Sequence, residues 1–192
     1  MELHKIGVKF FAEDSAGVEL TELIPIFHRW IKENTGGQVL VDVADYSHVY
    51  AGPGVLLVGH EGHYSFEEVG GRRGLAYSVK RASQGSLEQR LSTACRTVLE
   101  ACERLAAETE LGGRLEFGGA ELEIFANDRL AAPNTEDTFA ALRPSIEQLA
   151  AQLYPGAACD LERAADAKER FSVLVKAPEA ISTATLLGRL AT

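Results

Sequence analysis

The chain has 192 residues, of which 46% are hydrophobic and 24% are charged, and its formal net charge at pH 7 is -9. These values are typical of one globular domain with a sizeable hydrophobic core, and they exclude a disordered or fibrous chain. The acidic balance argues against a nucleic-acid partner, because binding to a phosphate backbone requires a cationic face. No stretch approaches the roughly 18 apolar residues that cross a bilayer, so we expect no membrane partner.

A cytoplasmic location is expected on two grounds. The first residues lack the long apolar core of a secretion signal. The three cysteines are scattered and odd in number, and no pattern around them would lower the pKa of a thiol. We therefore interpret the cysteines as small hydrophobic residues rather than as disulfide partners or reactive groups.

The first half of the chain is predicted to start with a strand and a helix and to continue as an antiparallel meander. The helix has apolar residues at every third or fourth position, and Pro25 requires either a kink or a start near Thr21 that leaves the proline in the first turn. Glycine-containing connections separate the later strands, as in hairpins. The predicted elements are strands at residues 5–12, 39–44, 55–66 and 74–80 and a helix at residues 19–34.

A long helix and a second set of elements follow. Ser86 and Gln89 have the spacing of a capping box at the start of the long helix. Asn134 is predicted to cap the next helix at its N-terminus. The predicted elements are helices at residues 86–111, 135–154 and 180–190 and strands at residues 122–126, 158–163 and 170–176.

The order of these elements predicts an α+β fold, with a mostly antiparallel sheet packed by helices in a single domain of residues 1–192. Both halves have the plan strand, helix, strand, strand, and Phe125 echoes Phe11 at the end of the first strand. Two fused half-units would explain this plan, and chance similarity is the alternative. The half-units would be residues 1–85 and residues 114–178, with residues 86–111 as the linking helix.

Several short enzyme signatures are missing from the sequence. The segment Gly52-Pro53-Gly54 lacks the third glycine of a dinucleotide-binding fingerprint. The segment from His60 to His63 is one residue too short for the helical zinc-protease motif. No phosphate-loop lysine motif, hydrolase serine motif or paired Cys-x-x-Cys is present. Most large enzyme classes with local signatures are thereby disfavoured.

The densest group of titratable residues lies between residues 39 and 65, where three of the five histidines occur. If residues 39–47 are extended, Asp42 lies between apolar neighbours on one face, and a carboxylate there needs a partner. Its candidate partners are His28, His60 and His63. The predicted ligand-binding residues are Asp42, Asp45, Tyr46, His48, His60 and His63.

Two kinds of chemistry fit this group of residues. A divalent metal such as zinc or manganese could bind His48, His60 and His63 if the three imidazoles converge. A carboxylate beside an imidazole could instead work as a general acid-base pair. The alternative is a set of polar residues on the solvated face of an antiparallel sheet.

Three runs of the chain resemble a family of bacterial hypothetical proteins of similar length. The runs are IPIFHRWI at residues 24–31, DVADYSHV at residues 42–49 and GPGVLLVGHE at residues 52–61. The resemblance covers about residues 20–65. It implies a bacterial source and assigns no activity.

The leading functional hypothesis is an α+β protein that binds a small molecule or a protein, with a homodimer through a sheet edge or the long helix as one arrangement. The competing hypothesis is an acid-base or metal-dependent enzyme that uses the Asp/His group at residues 42–63. A structural subunit of a larger assembly is the third hypothesis.

Overall fold

One antiparallel sheet runs through the protein, and this confirms the predicted α+β fold. The computed structural model describes residues 3–15, 17–50, 52–81 and 84–190. Within these residues the sheet has eight strands and is accompanied by four α-helices. The strands are β1 (Ile6–Asp14), β2 (Leu40–Tyr46), β3 (Gly54–Gly59), β4 (Gly62–Glu67), β5 (Gly74–Val79), β6 (Glu116–Ala126), β7 (Asp160–Arg163) and β8 (Ser172–Lys176). The helices are α1 (Leu23–Glu33), α2 (Leu87–Ala106), α3 (Glu136–Leu153) and α4 (Thr183–Leu190).

The strand order places β1 and β6 side by side in the interior of the sheet, where we call them the central strands, and β2 and β7 at the two edges. The full order is β2-β3-β4-β5-β1-β6-β8-β7. Each central strand is followed by a helix that leads to an edge strand, and the chain then returns toward the centre strand by strand. The two halves therefore share a connection plan, while their origin by duplication stays a prediction.

The hydrophobic core lies between the sheet and the helices. Val8 and Phe10 of β1 are fully buried in it, and α2 contributes the fully buried Cys95 and Val98. Helix α2 contacts both β1 and β5, because its apolar residues recur at helical spacing along one side. The alternate residues of β1 point to the other side of the sheet, which we call the opposite face.

The predicted helix starts are largely confirmed. Helix α1 begins at Leu23, so Pro25 lies in its first turn, where a missing backbone donor costs no helical hydrogen bond. The capping box of α2 is present. The backbone amide of Gln89 donates to Ser86 Oγ, and the backbone amide of Ser86 donates to Gln89 Oε1. No described helix has the length and apolar content required to cross a membrane.

The predicted cap of α3 is wrong. Thr135 is the N-cap residue, and its side chain accepts a hydrogen bond from the Thr138 amide. Asn134 is instead buried, and its side-chain amide donates to the carbonyl oxygens of Ala164 and Asp166. Because its side chain is bonded to the segment after β7, Asn134 does not cap α3.

The predicted strand at residues 55–66 is two strands joined by a tight turn. The Gln38 side chain holds this turn, because its Oε1 accepts hydrogen bonds from the backbone amides of Glu61 at 2.8 Å and Gly62 at 3.0 Å. Gln38 precedes β2 and is distant in sequence from the turn. A local hydrophobic pattern therefore could not show where β3 ends.

Candidate functional site

The register of the β2–β3 hairpin decides where the predicted Asp/His group lies. Tyr46 pairs with Gly54 at one end of the hairpin, and Leu40 pairs with Gly59 at the other end. His48 follows β2 at the first end, whereas His60 follows β3 at the second. Six residue steps of a strand span about 20 Å. The structure therefore does not bring His48 together with His60.

The contacts of the predicted histidines are local. His60 Nδ1 lies 2.8 Å from Oε1 of its neighbour Glu61, and both side chains are about half exposed. His63 is half-buried in β4, and burial together with the charge of Lys80 lowers its pKa. In the described part of the chain, no group of three or more His, Cys, Asp or Glu residues is placed to hold a metal ion.

The predicted aspartates lie on an exposed edge strand. Asp42 accepts a hydrogen bond from the backbone amide of the adjacent Val43 at 2.8 Å. The sequence predicts that apolar neighbours enclose Asp42, whereas the structure shows it exposed. Strand β2, which carries Asp42, has a neighbouring strand on one side only in the described part of the chain. Asp45 accepts a hydrogen bond from the Ser47 amide at 2.8 Å, and the side-chain and backbone hydrogen bonds of Ser47 lower the pKa of Asp45.

Exposed apolar side chains are concentrated in residues 39–50, which we call the edge segment. Six large hydrophobic side chains of the described residues are exposed. Five of them belong to the edge segment: Val39, Val41, Tyr46, Val49 and Tyr50. Tyr50 is fully exposed at 100%, and Leu130, at 98%, is the sixth. This concentration is the most distinctive surface property of the described residues.

A cleft of about 440 Å³ lies at the end of the edge segment. Tyr46, Val49 and Tyr50 line one side, and Glu68 and the glycine turn that follows β4 line the other. Gly54, which also lines the cleft, is required by its close contact with β4: it has a φ of 63°, and a Cβ atom there would lie 2.0 Å from the carbonyl oxygen of Phe66. The cleft is thus the point where the β2–β3 connection approaches the end of β4.

The electrostatic setting of the edge segment is acidic. The sequence has no lysine or arginine from residue 33 to residue 71. Six carboxylates occur in that interval: Glu33, Asp42, Asp45, Glu61, Glu67 and Glu68. Three of these carboxylates have arginine or lysine partners, because Glu33 contacts Arg29, Glu67 contacts Lys9 and Glu68 contacts Arg73. The charges of Asp42 and Asp45 have no comparable basic partner among the described residues.

A second charged group, which sequence reasoning missed, lies on the opposite face at the centre of the sheet. Lys9 of β1 is fully buried; its Nζ lies 3.4 Å from Glu67 Oε1 and donates to the carbonyl oxygen of Arg72 at 2.9 Å. Arg170 lies 3.5 Å from Glu67 and 3.7 Å from Glu123. Burial lowers the pKa of Lys9, and the charges of Glu67 and Glu123 oppose this shift. We call these four side chains the central ion cluster.

Two arginine–phenylalanine stacks flank the central ion cluster. The guanidinium carbon of Arg170 lies 3.7 Å from the ring centre of Phe125, and that of Arg72 lies 3.7 Å from the ring centre of Phe11. Both contacts have the geometry of cation–π interactions. The Lys9 amine is enclosed and bonded within the protein, so the cluster holds the central strands together and offers no open site. The Phe11–Phe125 echo in the sequence was the signal that could have located it.

The comparisons with known proteins supply no identification. No family model matches the chain, and neither a curated protein nor a solved structure matches it. The edge segment is therefore the feature of the protein that indicates a function.

Proposed function

We propose that the chain is a protein-binding α+β protein and that the edge segment is its contact surface. The observation that carries this proposal is the location of five of the six exposed large hydrophobic side chains in one segment. Exposed apolar side chains concentrated along one strand and the connection after it are costly in water and are typical of interaction sites. Single exposed apolar residues, such as Leu130, need no such explanation.

The cleft supports the same surface as a binding site. Tyr46, Val49 and Tyr50 belong both to the edge segment and to the cleft wall. A volume of about 440 Å³ is within the usual range of pockets that hold a ligand group. One side chain of a partner protein would fit there, and tyrosine is enriched among the residues that dominate binding energy. The edge segment thus combines an exposed strand with an anchoring pocket.

The enzyme hypothesis has weaker support from the same region. An acid-base pair or metal centre needs its groups within hydrogen-bonding or coordination distance. His48 lies at the opposite end of the β2–β3 hairpin from His60, and Asp42 makes its hydrogen bond to its own strand neighbour. His48 and His60 are therefore too far apart to act on one bound group.

Site-specific cross-linking tests the proposal. A photoreactive benzoylphenylalanine is introduced in place of Tyr50 in one variant and in place of Leu130 in a matched variant, since both side chains are almost wholly exposed. The variants are expressed and irradiated in the cells from which the sequence derives. We expect a defined cross-linked protein from position 50 and none from position 130.

A second pair of substitutions links the cross-link to the edge segment. Val39→Thr with Val41→Thr keeps the branched shape and strand preference while removing apolar surface, and it should reduce the yield from position 50. Identical products from positions 50 and 130, or no product from position 50, would contradict the proposal. A yield unaffected by the two threonines would place the contact elsewhere.

A further inference from the structure

We infer that the partner is an extended segment rich in lysine or arginine that adds to the sheet as a ninth strand beside β2. This inference rests on the proposed function and specifies the partner's chemistry. The sheet order leaves β2 paired with β3 on one side, and the described residues provide no strand on the other. An edge strand presents unpaired backbone N–H and C=O groups, which an extended peptide can satisfy.

The backbone of β2 is regular where a new strand would pair. The register shift between Leu40 and Asp42 is confined to the start of the strand, and pairing with β3 is continuous from Asp42 to Tyr46. Val41 and Tyr46 are exposed along this strand. An added strand would cover both side chains, which the isolated chain leaves in water.

The other edge of the sheet is built differently. Strand β7 has four residues against seven in β2, and none of the exposed large hydrophobic side chains belongs to β7. Glu162 of β7 has an ion-pair partner in Lys176, and Arg163 bonds to Asn134 before α3. Short, charged and internally bonded edges resist strand addition. Only β2 combines length with exposed apolar side chains.

Charge selects a basic segment over a second copy of the chain. Pairing two β2 strands would bring Asp42 and Asp45 of one copy against the same aspartates of the other, and like charges across strands are unfavourable. No lysine or arginine between residues 33 and 71 could relieve that repulsion. A lysine-bearing or arginine-bearing strand would instead pair with both carboxylates. The aspartates therefore disfavour self-association through β2 and attract the opposite charge.

Three synthetic peptides of seven residues, the length of β2, test this inference with the full chain. The first consists of lysine and valine with lysine on both faces of the strand, because Asp42 and Asp45 are three positions apart on β2 and point to opposite faces. The second has glutamate in place of each lysine, and the third is the lysine peptide with every backbone amide methylated, so that neither edge can donate a hydrogen bond. Binding is measured by calorimetry, and backbone protection by hydrogen exchange. We expect binding of the first peptide only, with slower exchange in residues 40–46 and unchanged exchange in residues 160–163.

Charge substitutions provide the matched controls. Asp42→Asn and Asp45→Asn keep the acceptor oxygen of each local hydrogen bond and should each weaken binding of the lysine peptide about two- to fivefold. Asp160→Asn on β7 should leave it unchanged. The binding should also weaken as salt is added.

Four results would overturn the inference: no binding of the lysine peptide, equal binding of the glutamate peptide, equal binding of the methylated peptide, or a dimer of the chain that the two asparagines strengthen. If position 50 still cross-links a protein in any of these cases, the proposed function survives and this partner class is rejected. If the cross-link also fails, the proposed function fails with it.

Discussion

Charged side chains are buried and paired at the centre of the sheet, whereas those of the described residues at the β2 edge are exposed and without a lysine or arginine partner. At the centre, Lys9 and Glu67 are buried, and Arg170 completes a group in which each charge faces its opposite. At the edge, Asp42 and Asp45 are exposed and accept hydrogen bonds from the neighbouring residues Val43 and Ser47. A buried charge must be neutralised within the protein, whereas an exposed charge is stabilised by water and stays available to a partner. The centre therefore serves stability, and the edge can serve binding.

The largest effect on stability is expected from Glu67→Ala. This substitution leaves the buried Lys9 ammonium without its nearest carboxylate, and removing one partner of a buried pair costs about 3 to 5 kcal/mol of unfolding free energy. Urea unfolding measures the loss. The control is Glu68→Ala at the next position, whose side chain is half exposed and should cost less than about 1 kcal/mol. Equal losses of unfolding free energy in the two variants would show that the buried Lys9–Glu67 pair is no more important for stability than the exposed pair at Glu68.

The two arginine–phenylalanine stacks should contribute different amounts to the free energy of unfolding. Arg170 is 24% exposed at its side chain and Arg72 is 48% exposed, and cation–π contacts strengthen as they lose water. We expect Arg170→Met to cost about 1 to 2 kcal/mol and Arg72→Met about 0.5 to 1 kcal/mol. Thermal and urea unfolding of both variants check the order. A larger loss at Arg72 would contradict the burial argument.

The pH dependence of Lys9 follows from the sign of its shift. Burial holds the pKa of Lys9 below its ordinary value of 10.5, so between the two values the unfolded chain binds a proton that the folded protein does not. The contribution of Lys9 to the free energy of unfolding therefore increases as pH rises toward 10.5. The total increase is about 1.4 kcal/mol for each pH unit between the folded-state pKa and the unfolded-state pKa of Lys9.

Comparison with Lys9→Met isolates this contribution. The tyrosines titrate in both proteins, so the stability difference between wild type and variant reports on Lys9 alone. The free energy of unfolding of the wild type, relative to that of the variant, should increase as pH rises toward 10.5. A difference that does not vary with pH would show that Lys9 keeps its ordinary pKa despite its burial.

The smallest effect is expected at the edge, from Asp45→Asn. The pKa of Asp45 is lowered from 3.8 by its hydrogen bonds with Ser47. Its stabilising contribution is therefore present above pH 3.8 and is lost as pH falls through the folded-state pKa. The variant should unfold at nearly the wild-type midpoint at neutral pH, and the residual difference should vanish in acid. A large neutral-pH loss would assign Asp45 a structural role.

Local patterns in the sequence located most elements because those patterns depend on near neighbours. Pro25 correctly restricted the start of α1, and Ser86 with Gln89 correctly marked the start of α2. The errors occurred where distant residues intervened. Gln38 creates the turn that divides β3 from β4, and the carbonyl groups of Ala164 and Asp166 draw Asn134 away from its predicted cap.

The candidate site stays a prediction. The sequence pointed to residues 39–65, and Tyr46, one of the predicted ligand-binding residues, lines the cleft at the end of the edge segment. The assumption that Asp42 needs a histidine partner failed, because it required β2 to be enclosed, and its edge position was not visible in the pattern. The absence of lysine and arginine between residues 33 and 71 is a sequence property that could have indicated an acidic surface.

The sequence by itself determined the α+β class, the N-cap of α2 and the acidic composition of the edge segment, because periodicity and charge are properties of neighbouring residues. Only the tertiary structure decided that β2 is an edge strand and that Lys9 lies at the centre among Glu67, Glu123 and Arg170. Strand order and long-range pairing depend on contacts between residues far apart in the chain, and such contacts leave no periodic trace in the sequence.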